Sequence, residues 1–281
     1  MPSLLVVKAN GEKEVFSLEK VCRSARRAGA SDKLAREIAK KVSKQIYPDI
    51  KTSDIFNIIK QELKKNTTGV FLRFNLKEGI RKLGPTGFPF EKFIGGLLEE
   101  LNFKVKINQH IAGRCLADYE IDFIAQKDNV IYIGECKYRN LPGEKVHSKD
   151  ALANYARFLD IKNGPHFKKL QEQRVQLKTI LVTNAKFTND ARNYSACMNV
   201  DLLGWRHPKN KGLEYLIDKH KLYPVTVLPL KGYIRDIFAS EQIMLVRDIL
   251  EVDPERLSKR FKIPTNYLNS LIFKAKLILK D

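Results

Sequence analysis

Three charged residues lie in two adjacent apolar runs in the middle of the chain. Asp122 lies in the run 120–125, and Glu135 and Lys137 close the run 130–137 after a short turn. Because side chains alternate along a strand, Glu135 and Lys137 emerge on one face, where Asp122 of the neighbouring strand can meet them. Two carboxylates and a lysine suit metal-assisted phosphodiester hydrolysis. The carboxylates hold Mg²⁺ or Mn²⁺, and the lysine stabilises developing charge or orients the water.

Two further groups extend this candidate metal site. Glu91, on a helix predicted from Phe90 to Leu101, could add a third carboxylate, and the main-chain carbonyl of Cys136 is a further oxygen ligand. A Glu-x-Lys triplet alone arises often by chance in a chain with 30% charged residues. The aspartate across the hairpin makes the pattern more specific for a nuclease site.

The segment 88–204 resembles the catalytic domain of Mrr-type restriction endonucleases, which are PD-(D/E)XK nucleases. The resemblance covers the opening helix at 90–103, the strand of Asp122 and a late strand-helix-strand at 179–203. That family usually has Gln-x-Lys on the lysine strand, whereas this chain has the commoner superfamily form Glu-x-Lys. The resemblance implies a restriction-endonuclease-like three-layer α/β core that cleaves DNA with Mg²⁺ or Mn²⁺. The implied catalytic residues are Asp122, Glu135, Lys137 and Glu91, with Asp122, Glu135 and the Cys136 carbonyl at the metal.

The N-terminal segment has the pattern of a hairpin followed by helices. Asn10-Gly11 separates two short β-rich runs and predicts the hairpin turn. The predicted helices are one capped by Ser17 and ended by Gly29, one from Lys33 to Ile46, one capped by Thr52 or Ser53, and one from Val70 to Leu83. Lysines near a helix start, with its free backbone N–H groups, suit the oxygens of a triphosphate.

This segment resembles the ATP-cone, the mostly helical regulatory nucleotide-binding domain of ribonucleotide reductases and some repressors. The resemblance rests on Val6-Val7-Lys8, Gly11, Glu14, Phe16-Ser17, Lys20-Val21, Arg27-Ala28-Gly29-Ala30 and Lys51-Thr52-Ser53-Asp54-Ile55. It implies an ATP or dATP effector bound through Val6, Lys8, Glu14, Ser17, Lys20 and Thr52. The chain departs from the family at Ala9, where Arg is frequent, and at Phe56, where His is frequent. The alternative is a cone that only packs or forms a homodimer.

Basic residues predominate along the chain, which carries a net charge of +19. Such a balance favours a polyanionic partner, here DNA, because neutralised phosphates release counterions. A basic stretch directly after the lysine strand could line a phosphate backbone, or it could be a solvated helix face. Its basic residues are Lys137, Arg139, Lys145, His147, Lys149, Arg157, Lys162, Lys168 and Lys169.

Two loop-rich stretches predict three domains. Gly84-Pro85-Thr86-Gly87 and the run 228–232 divide the chain into 1–84, the cone; 85–230, the nuclease; and 231–281, a small helical module. In the last, helices are predicted at 241–250, 254–260 and 265–279. They resemble a helix-hairpin-helix module but lack its Gly-x-Gly turn, so a packing or oligomerising appendix is the alternative.

Other function classes are disfavoured. No apolar run approaches the ~20 residues of a membrane span, and the N-terminus lacks a signal-peptide core, so no membrane contact and a cytoplasmic location are expected. The four cysteines form no CxxC pair, which disfavours zinc. The sequence thus predicts a nucleotide-regulated DNA endonuclease. The alternatives are a nucleotide-responsive DNA-binding regulator without cleavage, or an RNA nuclease.

Overall fold

The protein divides into two compact units in a computed structural model that describes residues 4–84, 88–167 and 175–280. One, the terminal unit, combines Met1–Ile80 with Tyr223–Asp281; the other, the central unit, is Arg81–Leu222. The C-terminal helical tail thus belongs to the same compact unit as the N-terminal segment. Within the described ranges, no helix is both long and apolar enough to cross a bilayer.

The N-terminal part is a small three-stranded sheet with helices. Its elements are β1 (Leu5–Val7), β2 (Lys13–Val15), α1 (Leu18–Arg27), α2 (Asp32–Ser43), β3 (Ile50–Lys51), α3 (Thr52–Asn66), α4 (Thr68–Phe74) and α5 (Leu76–Arg81). β1 pairs antiparallel with β2 and parallel with β3. The predicted hairpin at Asn10-Gly11 is confirmed, and Gly11 takes the positive φ of 82° that this turn requires.

Two helix predictions in this part are wrong. Neither Thr52 nor Ser53 caps α3, because the helix begins at Thr52 with Lys51 at the N-cap and no side-chain cap bond. The single helix predicted from Val70 to Leu83 is two helices. Asn75 interrupts the ladder, since its N–H bonds to the carbonyl of Leu72 at 3.1 Å, three residues back. Apolar periodicity does not reveal such a break.

The central unit is built on one mixed sheet. Its elements are α6 (Phe88–Glu100), β4 (Lys104–Ile111), β5 (Tyr119–Lys127), β6 (Val130–Cys136), β7 (Lys145–Val146), α7 (Ser148–Lys162), β8 (Gln176–Val182), β9 (Lys186–Phe187), α8 (Asn189–Cys197), β10 (Val200–Leu203) and α9 (Leu213–His220). The strand order is β10-β8-β6-β5-β4, and β7 pairs with β9. β4, β5 and β6 are antiparallel neighbours, whereas β6, β8 and β10 are parallel and need the crossovers that contain α7 and α8. The predicted mixed α/β class is confirmed.

Helices cover both faces of this sheet. α6 lies over β4, because a Cβ added at Gly95 would be 3.0 Å from Ile107. Ile107 pairs with Phe123, which pairs with Gly134, so these residues share the α6 face. Ile133, one residue before Gly134, points to the other face and packs against α7. The hairpin β5–β6 is thus enclosed between two helices.

The C-terminal part contains α10 (Gly232–Ser240), α11 (Pro254–Phe261) and α12 (Thr265–Leu279). The helix predicted at 241–250 is wrong, because the Asp248 carboxylate accepts the N–H groups of Met244 and Leu245 at 2.9 and 2.7 Å and bends the chain. α12 packs closely on α4: Arg73 of α4 donates to the Ile278 carbonyl at 3.0 Å.

Candidate active site and nucleotide site

The pairing of β5 with β6 brings the two predicted metal carboxylates level with each other. Phe123 pairs with Gly134, so Asp122 and Glu135 are the next positions along the hairpin. Asp122 Oδ2 accepts the backbone N–H of Cys136 at 2.6 Å. Glu135 is buried, with 5% of its surface exposed. The hairpin therefore holds Asp122 against the backbone that carries the Glu-Cys-Lys triplet.

Two cationic side chains form ion pairs with the Glu135 carboxylate. Lys137 Nζ donates to Oε1 and the Arg157 guanidinium donates to Oε2. Two hydrogen bonds hold the main chain of Lys137. Its N–H donates to the Val182 carbonyl at 2.7 Å, and its carbonyl accepts the Thr183 hydroxyl at 2.6 Å. The expected proximity of Glu135 and Lys137 is present, and Arg157 of α7 joins them.

Glu91 completes a cluster of carboxylates. Burial raises the pKa of Glu91 to about 7, and the negative charges of Asp122 and Glu135 add to the rise. Burial and the charge of Glu135 also raise the pKa of Asp122 to about 6, against the lowering effect of the Cys136 N–H, Arg157 and Lys137. Burial is the main cause of both shifts, so water solvates these two carboxyl groups poorly.

The donor atoms suit a hard cation. Glu91, Asp122 and Glu135 offer carboxylate oxygens, the ligand type that Mg²⁺ prefers. The Cys136 thiol is no competing ligand, since burial raises its pKa well above the ordinary value and keeps it protonated. In the described part of the chain, however, no three His, Cys, Asp or Glu residues are arranged to hold one ion.

The basic stretch after Lys137 is only partly available to a phosphate backbone. Arg139 pairs with Asp150 at 3.1 Å and Arg157 with Glu135, so a phosphate would compete with a carboxylate for each of these two arginines. Lys145 and Lys149 are exposed at the start of α7. His147 is also exposed and Lys162 is half-buried, whereas Lys168 and Lys169 lie outside the described residues.

A buried polar link holds α7 against the sheet, and no local sequence pattern indicates it. Asn154 Nδ2 donates to Thr179 Oγ1 at 3.0 Å, and that hydroxyl donates to the Ile133 carbonyl at 3.1 Å. Asn154 lies one helical turn before Arg157. The link therefore sets the position from which Arg157 reaches Glu135. An Asn and a Thr far apart in sequence cannot be paired without the sheet register.

The cone residues form an exposed ion network instead of an open cradle. Lys20 Nζ lies 2.9 Å from Glu14, and Lys8 Nζ lies 3.4 Å from the same carboxylate and 3.3 Å from Glu12. The hydrogen bond from Lys20 lowers the pKa of Glu14. Since Val7 pairs with Lys51, the next residues, Lys8 and Thr52, are neighbours at the start of α3.

The other implied nucleotide contacts have structural roles. Val6 is buried in the core, and the Ser17 hydroxyl caps α1 by accepting the Lys20 N–H at 3.3 Å. Phe56, which stands where the family often has His, stacks on Phe74 with ring centroids 4.5 Å apart. It therefore ties α3 to α4.

Comparisons with known proteins agree with part of this description. The ATP cone domain family matches residues 4–76. An uncharacterized protein of Archaeoglobus fulgidus is 33% identical over 163 residues, which cover 57% of this chain and 86% of that protein. A crystal structure of a protein of unknown function is 29% identical, with a TM-score of 0.57, over 68% of this chain and 97% of the other.

The chain therefore belongs to the family of that Archaeoglobus protein. Its N-terminal segment is an ATP cone domain, a domain type that binds ATP or dATP as an effector. This match confirms the resemblance of the first segment and indicates regulation by an adenine nucleotide.

Proposed function

We propose that the central unit is a metal-dependent endonuclease with a restriction-endonuclease-like core of the Mrr type, and that ATP or dATP bound by the cone regulates it. The observation that carries the proposal is the meeting of Asp122, Glu135 and Lys137 at the end of one hairpin, with Glu91 beside them. Buried carboxylates next to a lysine held in place suit metal-assisted phosphodiester hydrolysis.

Each residue of the candidate site has its own proposed role. Asp122 and Glu135 would hold Mg²⁺ or Mn²⁺, with Glu91 and the Cys136 carbonyl as further oxygen donors. The ion, when bound, supplies a polarised phosphate and a water of lowered pKa. Lys137 sits one hydrogen bond from Glu135, so its ammonium group can donate to the developing charge on the phosphate. Arg157 holds the second oxygen of Glu135 and keeps that carboxylate in place.

DNA is the substrate that the charge favours. The chain carries +19, and Lys145 and Lys149 expose two ammonium groups at the start of α7. Phosphate contacts from such side chains provide affinity without sequence preference. The proposed substrate is therefore a nucleic-acid backbone, with DNA as the form to test first.

A cleavage assay tests the proposal. Purified protein is incubated with duplex, single-stranded and branched DNA and with RNA, with and without Mg²⁺ and ATP. We expect Mg²⁺-dependent DNA cleavage that Asp122→Ala and Glu135→Ala each abolish, while the matched Asp118→Ala at the exposed start of the same hairpin keeps it. Cleavage that persists in the double variant D122A/E135A would exclude this site.

A second candidate is a nucleotide-responsive DNA-binding regulator that does not cut. One observation favours it: both oxygens of Glu135 are already bonded to Lys137 and Arg157. Isothermal titration with Mn²⁺ separates the two functions. The nuclease requires binding that D122A/E135A abolishes, whereas the regulator would bind DNA tightly with no such metal binding.

A further inference from the structure

A large cavity opens in the central unit, on the face of the sheet that α6 covers. Its volume is about 1120 Å³, slightly above the usual range for small-molecule sites. The strands supply Phe123, Ala125, Tyr132 and Ile180 as its floor. Asp122, Glu135 and Lys137 do not line it. It is therefore separate from the candidate active site.

The walls of the cavity are also largely apolar. Leu98 at the end of α6 forms part of one wall, and Leu216 of α9 forms part of another. A flat apolar floor between apolar walls favours a ligand with a hydrophobic body, because burial of such a body removes nonpolar area from water.

One polar atom in the lining lacks a partner. Ser195 of α8 lines the cavity and is 1% exposed. Within residues 4–84, 88–167 and 175–280, its hydroxyl has no hydrogen-bond partner. Buried hydroxyl groups are nearly always bonded, so this one marks a place where a ligand atom could bind.

The charges that line the cavity are mainly positive. Lys127, Arg192 and Lys211 stand against a single carboxylate, Asp201. Asp201 has its own cation, Lys178, with Nζ at 3.9 Å. Lys127 is also engaged, since its Nζ donates to the Leu101 carbonyl at 2.8 Å. The two other cations in the lining are Lys211 and Arg192, and Arg192, which donates one N–H to the Asn189 side chain, keeps further N–H groups for an anion.

We propose that this cavity binds a small amphipathic anion, an acyl or aryl carboxylate. Its apolar body would lie on Tyr132, Ile180 and Leu216, its carboxylate would meet Arg192 and Lys211, and the Ser195 hydroxyl would donate to it. The inference does not depend on nuclease activity, because no residue of the candidate active site takes part.

Binding of two defined probes tests this site in the full-length protein. The fluorescent anion 8-anilinonaphthalene-1-sulfonate should bind saturably, and decanoate should displace it. Decanol, which has the same tail without charge, should displace it about tenfold more weakly, because it lacks the charge-assisted hydrogen bonds. Equal displacement by decanoate and decanol would overturn the proposed anion selectivity.

Substitutions locate the probes. Ala196→Trp should fill the cavity and remove saturable binding, and Arg192→Glu should weaken decanoate about tenfold or more. The matched control is Lys106→Glu, an equal charge change at an exposed position on the opposite face of the sheet. Probe binding that A196W leaves intact would place the dye on another apolar surface and refute the site.

The hydroxyl gives an independent readout. Ser195→Ala should raise the melting temperature of the ligand-free protein, because it removes a buried polar atom without a partner. The same variant should bind decanoate several-fold more weakly. A variant that gains stability and binds decanoate like the parent would remove Ser195 from the site.

Discussion

The pKa values of buried carboxylates are shifted in opposite directions in the two units. In the terminal unit, Glu62 is 7% exposed and accepts Lys41 and Lys65 at 2.6 and 2.9 Å, and these hydrogen bonds lower its pKa. In the central unit, burial raises the pKa of Glu91 to about 7 and that of Asp122 to about 6. Two lysines stabilise the charged form of Glu62, whereas burial favours the neutral forms of Glu91 and Asp122.

The comparison extends to the two candidate sites. Glu12 and Glu14 already pair with Lys8 and Lys20, so a nucleotide must compete with carboxylates for the same lysines. At the central site, Glu135 already holds Lys137 and Arg157, whereas burial raises the pKa of Glu91 and of Asp122 beside it. We therefore expect nucleotide binding to be moderate at the cone and cation binding to be favourable at the hairpin.

The largest expected effect is on chemistry. Lys137→Ala should slow DNA cleavage by ~10²–10³, the typical loss when one donor to the transition state is removed. Metal affinity and DNA affinity should stay near those of the parent. Single-turnover cleavage measures the rate, and Lys104→Ala, at the exposed start of β4, is the matched control. A Lys137 variant that cleaves within a few-fold of the parent would remove this residue from the chemistry.

The next effect concerns the cone. ATP or dATP should stabilise the protein by ~2.7 kcal/mol at one hundred times its dissociation constant. Lys8→Ala with Lys20→Ala should erase the rise in melting temperature. Lys13→Ala is the control, since this lysine of the same hairpin pairs with Asp49 at 2.8 Å, away from Glu14. If millimolar adenine nucleotide leaves the melting curve unchanged, the cone here is structural.

A smaller effect is expected on the salt dependence of DNA binding. Each phosphate contact contributes about −0.9 to the slope of log affinity against log salt. Replacing both Lys145 and Lys149 by Ala should therefore flatten the slope by about 1.8. Fluorescence anisotropy with the cleavage-deficient Glu135→Gln protein measures it, and Lys186→Ala serves as control. An unchanged slope would mean that DNA lies elsewhere.

The smallest effect is expected at Glu62, the buried carboxylate that pairs with two lysines. Glu62→Gln should lower the free energy of unfolding by about 1 kcal/mol at pH 7, because its lysines are largely exposed and screened. The pKa of Glu62 is lowered from its ordinary value of 4.5, so this stabilisation is present above pH 4.5 and is lost as pH falls through the folded pKa. Urea unfolding of both proteins across that range checks it; a difference that grows in acid contradicts the assignment.

Local sequence signals predicted much of the architecture. Asn10-Gly11, Ser17 and the alternating runs around Asp122 and Glu135 each depend on contacts a few residues apart, and the hairpins and helix start appear where they were expected. The failures are local as well. The break at Asn75 and the bend at Asp248 come from hydrogen bonds three or four residues apart, which apolar periodicity does not record.

The sequence by itself determined that Glu135 and Lys137 share a face, because the period of a strand is two residues. Only the tertiary structure decided what meets them. Arg157 reaches Glu135 from a crossover helix, and that position depends on the link from Asn154 to Thr179 across the sheet. The cavity near Ser195 depends likewise on strands and helices distant in sequence. Such groups come together only through strand order and helix packing, which no local pattern encodes.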